Sequence, residues 1–135
     1  MALFSKLGKY SNFALLVMRA GVGGMMILHG YPKLLGGPER WGNLGEAMAH
    51  FGITYAPEFW GFMAAFSEAV GGLLLLLGYL TRPAALLLFI TMVVAAAKHI
   101  GGGDPFSKSY HAIELAFVFF GLFILGPGKY SIDKG

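Results

Sequence analysis

Between Pro57 and Leu80 the chain reads PEFWGFMAAFSEAVGGLLLLLGYL, and after Glu58 its only charged side chain is Glu68. A run this long and this apolar constrains the fold more than any other feature. A bilayer core of about 30 Å is crossed by about 20 helical residues, whose backbone polar groups are all satisfied within the helix. Three further apolar segments accompany it, at about 12–28, 83–99 and 110–125. The last two reach membrane length only if Lys98, His99, Tyr110 and His111 also lie in the membrane zone, near one interface. Of the 135 residues 56% are hydrophobic and 13% charged, against about 25% charged in soluble domains. The excess apolar surface calls for lipid. The reading is an all-α, membrane-spanning four-helix bundle forming a single domain over 1–135.

Breakers separate the segments: Pro32, Gly36-Gly37-Pro38, Gly78, Pro83, Gly101-Gly102-Gly103-Asp104-Pro105 and Gly126-Pro127-Gly128. The connection from Pro32 to Ala56 carries Trp41, Leu44, Met48 and Phe51 at roughly helical spacing. It is predicted to form a short interfacial amphipathic helix with Trp41 at headgroup depth; a plain surface connector is the alternative. Lys6 and Lys9 before Phe13–Val17 resemble a signal peptide, but Arg19 interrupts its apolar core and the numbering starts at Met1, so this stretch reads as the first spanning helix. With four spans, both termini share a face with the Arg82 turn. Lys6, Lys9, Arg82, Lys129 and Lys134 face one acid there, Asp133, whereas Lys33, Arg40, Lys98 and Lys108 are diluted by Glu39, Glu46, Glu58 and Asp104. The positive-inside rule then puts both termini in the cytoplasm of an inner membrane.

Charges inside the spans are where function is sought, because an arginine at the bilayer centre costs about 2.5–3.5 kcal/mol. Arg19 is expected to pair with Glu68, helped by close helix approach through Ala20 with Gly24 and Ser67 with Gly71. His111 and Glu114, three residues apart, share a face of the fourth helix. With His29 they complete an intrabundle polar cluster: Arg19, His29, Glu68, His111 and Glu114. This is either a structural lock or a pocket for a polar headgroup or for protons. Arg82 and Asp133 are expected to pair and clamp the tail across the bundle; solvated separately, they contribute little.

Several classes fall away. The scattered basic residues make no phosphate-tracking stripe, so no nucleic-acid partner is expected. The absence of cysteine removes disulfides, thiolate metal sites and thiol relays of this chain's own. His111-x-x-Glu114 occurs once, whereas a di-iron bundle needs that motif twice with two further glutamates, so no metal site is expected. The glycine triplet lacks the lysine and serine of a phosphate loop.

Three pieces in order carry a resemblance over nearly the whole chain: Arg19 with His29-Gly30 and Lys33; EAVGGLLLLLG from Glu68 to Gly78 followed by Thr81-Arg82; and the tail GPGKYSID ending at Asp133. The sequence resembles the DoxX family of small four-helix integral membrane proteins. One branch, the DoxD-like subunits, belongs to thiosulfate:quinone oxidoreductases, and other members are linked to oxidative stress. The resemblance implies a quinone-linked setting, with quinone as a non-covalent ligand, an oxidoreductase partner subunit, membrane lipids and a homodimer as candidate partners. The other class is a non-catalytic carrier, binding subunit or scaffold.

Overall fold

The structure, a computed structural model describing residues 3–133, contains helices and no strand among the described residues. Lys134, counted above in the orientation argument, lies outside them. A 3-10 turn, Ser5–Tyr10, leads into α1, Ser11–Leu35. The helix does not stop near Leu28. It passes through Pro32, because a proline near a C-terminus costs one ladder bond, while Gly30 before it and Lys33 after it both meet the next long helix.

α2, Gly37–Gly45, and a 3-10 turn, Glu46–Phe51, fill the connection. The amphipathic helix therefore exists, and it lies across the first half of α3, Pro57–Leu77. Contact is close enough that a Cβ on Gly45 would meet the Pro57 carbonyl and one on Gly61 the Trp41 carbonyl. Trp41 is half-buried, its indole N–H donating to the Lys33 carbonyl at 3.1 Å.

α3 ends at Gly78, whose φ of 73° suits glycine. After a turn, α4, Thr81–Gly101, starts before Pro83 and includes Lys98 and His99. Pro83 thus stands within the first turn, where its missing N–H has no intrahelical role. The turn Phe106–Ser109 leads into α5, Tyr110–Leu125. α1 packs on α3, α3 on α4 and α4 on α5, each pair antiparallel. Ser5–Leu35, Pro57–Leu77, Thr81–Gly101 and Phe106–Leu125 are each long and apolar enough to cross a membrane.

The α1–α3 contact uses glycines, though not the expected ones. A Cβ on Gly23 would sit 2.6 Å from the Gly72 carbonyl, and one on Gly30 would meet the Ala69 amide and, at 2.7 Å, the Glu68 Cβ. Gly24 faces open space, and Gly71 instead meets Leu88 of α4. Between the helices Met26, Leu75, Leu88, Met92, Phe119 and Leu122 form a closed apolar core. Outside, Leu28, Phe117 and Ile124 are more than half exposed. Such a girdle is stable against lipid and not against water. The bundle has a terminus end, with the tail and the Gly78–Leu80 turn, and a loop end, with α2 and the Gly101–Phe106 connection.

Candidate functional site

The chain's intramembrane charges form two groups at opposite ends, and not the single cluster expected. At the terminus end the charges complete helix ends. Arg19, fully buried, donates to the Leu75 carbonyl at 2.9 Å and to the Tyr130 carbonyl of the tail. It does not pair with Glu68. Leu75 lies in the last turn of α3, where unpaired carbonyls and the helix dipole attract a cation. Arg82 does the same for α5, with Nε donating to the Phe123 carbonyl at 3.2 Å and Nη2 approaching those of Ile124 and Leu125. Asp133 serves α4: its carboxylate accepts from the Leu80 N–H at 3.0 Å and the Thr81 N–H at 2.9 Å. The expected Arg82–Asp133 bridge is therefore absent. Both residues anchor the region through backbone groups, because helix ends offer better-oriented partners than a solvated opposite charge. The Asp133 carboxyl is held below the usual carboxylate range, first by the Thr81 N–H, with desolvation opposing it, then by the Leu80 N–H and, least, by the attraction of Arg19.

The second group stands at the loop end. Glu68, buried in the middle of α3, accepts both of its bonds from Lys33 Nζ, at 2.8 Å and 3.1 Å. Lys33 reaches it from the last turns of α1 because Gly30, one turn earlier, lets the two backbones meet. Sequence reasoning counted Lys33 as a loop cation. The signal that would have found it is the stripe Arg19, Gly23, Met26, Gly30, Lys33, whose alternating spacings of four and three trace one helical face.

Two cavities meet at this pair. The first, about 310 Å³, lies between the α2 region, α3 and α4. It is almost wholly apolar, with Phe59, Met63, Leu87, Ile90 and Val94 along its walls and Lys33, Ser67 and Glu68 at one limit. Trp60 also lines it, and its buried indole N–H has no acceptor. The second cavity, about 150 Å³, has a mixed lining, in which Met26, Met92 and Leu115 stand among charged and imidazole groups. His29 and Lys33 enter from α1, Glu68 from α3, His99 from α4, and Lys108 and His111 from the α5 side. The His29 and His111 rings stand 5.4 Å apart, tilted by 50°. His99 Nδ1 lies 3.0 Å from an Asp104 oxygen, and that bond, before the attraction of Lys108 and His99, keeps the Asp104 carboxyl below its ordinary range.

Of the expected cluster, then, His29, Glu68 and His111 line one cavity. Arg19 belongs to the opposite end. Glu114 is exposed on α5 and lines neither cavity. Among the described residues no group of histidine and carboxylate side chains is arranged to hold a metal ion.

The sequence model of the DoxX family matches residues 14–100, most of the chain. The chain belongs to the DoxX family. The matched region of this DoxX protein contains Arg19, Lys33, Glu68 and His99 and ends before α5. The chain is also similar to inner membrane protein YphA of Escherichia coli strain K12, 30% identical over 89% of this chain and 88% of that one. An uncharacterized protein of Haemophilus influenzae is 32% identical, with 96% of each chain covered. No solved structure matches. Family, relatives and spans together make this a DoxX-family membrane protein.

Proposed function

We propose that this DoxX-family chain is the membrane component of a quinone-linked oxidoreductase system and that it binds a quinone, or another apolar molecule with a carbonyl head, in the cleft beside Lys33 and Glu68. The observation that carries the reading is the unpaired, buried Trp60 N–H in an apolar cleft bounded at one limit by an ion pair. A buried donor without a partner is costly, and a ligand acceptor would relieve it. The residues fit such a group: Trp60 Nε1 and Lys33 Nζ are donors for carbonyl oxygens, Phe59 and Trp60 offer faces for a ring, and Leu87, Ile90 and Val94 continue as a path for an isoprenoid tail. A quinone supplies two-electron chemistry linked to proton uptake when bound. The chain's own part is to orient the head, exclude water from the apolar walls and hold a proton acceptor at the Glu68 carboxylate.

The test is quinone content after gentle purification, measured in a solvent extract. Ala64 lines the cleft, and Ala64→Phe fills it while leaving Lys33 and Glu68 in place. Stoichiometric quinone in the parent and its loss in Ala64→Phe are expected; equal content in both would overturn the site. The second reading, a carrier or scaffold whose polar pair is structural, draws on the fact that both Glu68 oxygens already accept from Lys33. A parent protein without quinone would favour it.

A further inference from the structure

We propose that the histidine-lined cavity is an aqueous access route to the Lys33–Glu68 pair, open at the loop end alone. The inference deepens the reading above by giving that site a side of the membrane from which it exchanges protons, yet water access itself requires no ligand.

Three observations converge. First, Lys33 and Glu68 line both cavities, so the ion pair is a partition with an almost wholly apolar face on one side and an imidazole-rich face on the other. Charged groups keep their ionised form in a membrane interior where water or polar partners reach them. The second cavity is the face that offers both. Second, the polar face leads outward. His99 and Lys108 line it close to the Gly101–Phe106 connection, and Asp104 in that connection bonds the His99 ring. The two partners of that contact are 38% and 40% exposed, so this end of the cavity lining reaches solvent. Third, the other direction is shut. Towards the terminus end the space between the helices is filled by Leu75, Leu88, Phe119 and Leu122, each fully buried, and beyond them the tail is bound over the end of the bundle through Arg19 and Asp133.

The groups facing Glu68 across this cavity are His29 and Lys33 of α1, His99 of α4, and Lys108 and His111 beside α5. Imidazoles exchange protons near neutral pH. A proton passes from an imidazolium N–H, directly or through water, to a Glu68 carboxylate oxygen. The neutral imidazole left behind takes another proton from water at the loop end.

The chain has no cysteine, so single-cysteine variants report water access directly. Ala112 lines the histidine cavity and Ala64 the apolar cleft. Ser107→Cys at the exposed loop end and Ser5→Cys at the exposed terminus end mark the two sides. Sealed proteoliposomes of separated orientation are treated with a permanently charged, membrane-impermeant methanethiosulfonate. Ala112→Cys is expected to react only from the side that labels Ser107→Cys, at least tenfold faster than from the other. Ala64→Cys should resist this reagent and react with an apolar maleimide. Leu115→Cys, one turn deeper in the same cavity, replaces Ala112→Cys if that variant does not fold. Labelling from the Ser5 side, no labelling of either cavity position in folded protein, or equal labelling of Ala64→Cys by the charged reagent would overturn the proposal. The Ala112→Cys and Leu115→Cys outcomes do not depend on quinone content, so this route and the ligand reading fail separately.

Discussion

At the level of single residues, the charges of this protein are explained by the helix ends and partners they meet. Asp133 is the clearest case. α4 begins without a capping side chain of its own, since its N-cap is Leu80, held at φ 51° in the left-handed region where a leucine is strained. The tail carboxylate supplies the missing acceptor for two N–H groups. Asp133→Ala is therefore expected to lower stability by about 1 kcal/mol, within the usual range for lost caps, measured by thermal unfolding in detergent. The sign with pH follows from the depressed carboxyl. A group whose pKa is lower folded than unfolded adds stability that is complete above its unfolded value, about 3.9, and fades as pH falls through the folded value. The difference between parent and Asp133→Ala should be constant from neutral pH to about pH 5 and shrink below pH 4; a constant difference at pH 3 would exclude the ionised cap. The importance of Arg19, Glu68, Arg82 and Asp133 was legible in the sequence. Their partners were not, because for Arg19, Arg82 and Asp133 they are backbone carbonyls or amides, which no side-chain pattern advertises, and the Glu68 partner, Lys33, lay beyond the expected helix end near Leu28 and a proline read as a breaker.

At the level of elements, hydropathy located the spans because lipid demands uninterrupted apolar length, while it left their contact faces open. Arg19 and Lys33 stand about 21 Å apart along α1 by the helical rise, one at each limit of a face whose middle is Gly23, Met26 and Gly30. That face fixes how α1 slides along α3. Gly30→Ala would drive a methyl into the Ala69 amide and Glu68 and is expected to cost about 1–3 kcal/mol, separating Lys33 from Glu68. Gly24→Ala, one helical position from Gly23 but facing open space, should be neutral or gain up to about 1 kcal/mol. Comparable losses in both, read as melting temperature in one detergent, would show that the glycines act through helix propensity and not through close packing. The sequence could not separate the two glycines, since both recur at small-residue spacings, and only the register against Gly72 distinguishes them.

At the level of the whole molecule, four spans return the chain to the face where it began. Ser5 and Lys129 should therefore share a side, the cytoplasmic one by the distribution of lysine and arginine. Ser5→Cys and Lys129→Cys are expected to react with an impermeant thiol reagent in inverted vesicles and to be protected in right-side-out cells; labelling on opposite sides would mean an odd number of crossings. The contact between Arg19 and Tyr130 has a consequence for biosynthesis. Its partners are separated by 111 residues, so at about 5–20 residues per second the ribosome needs roughly 5–20 s after making the arginine to supply the tail carbonyl. Until then the Arg19 guanidinium has the Leu75 carbonyl and lacks the Tyr130 one. A chain truncated before Tyr130 therefore loses an acceptor for a buried cation and is expected to melt at a lower temperature in detergent than the parent.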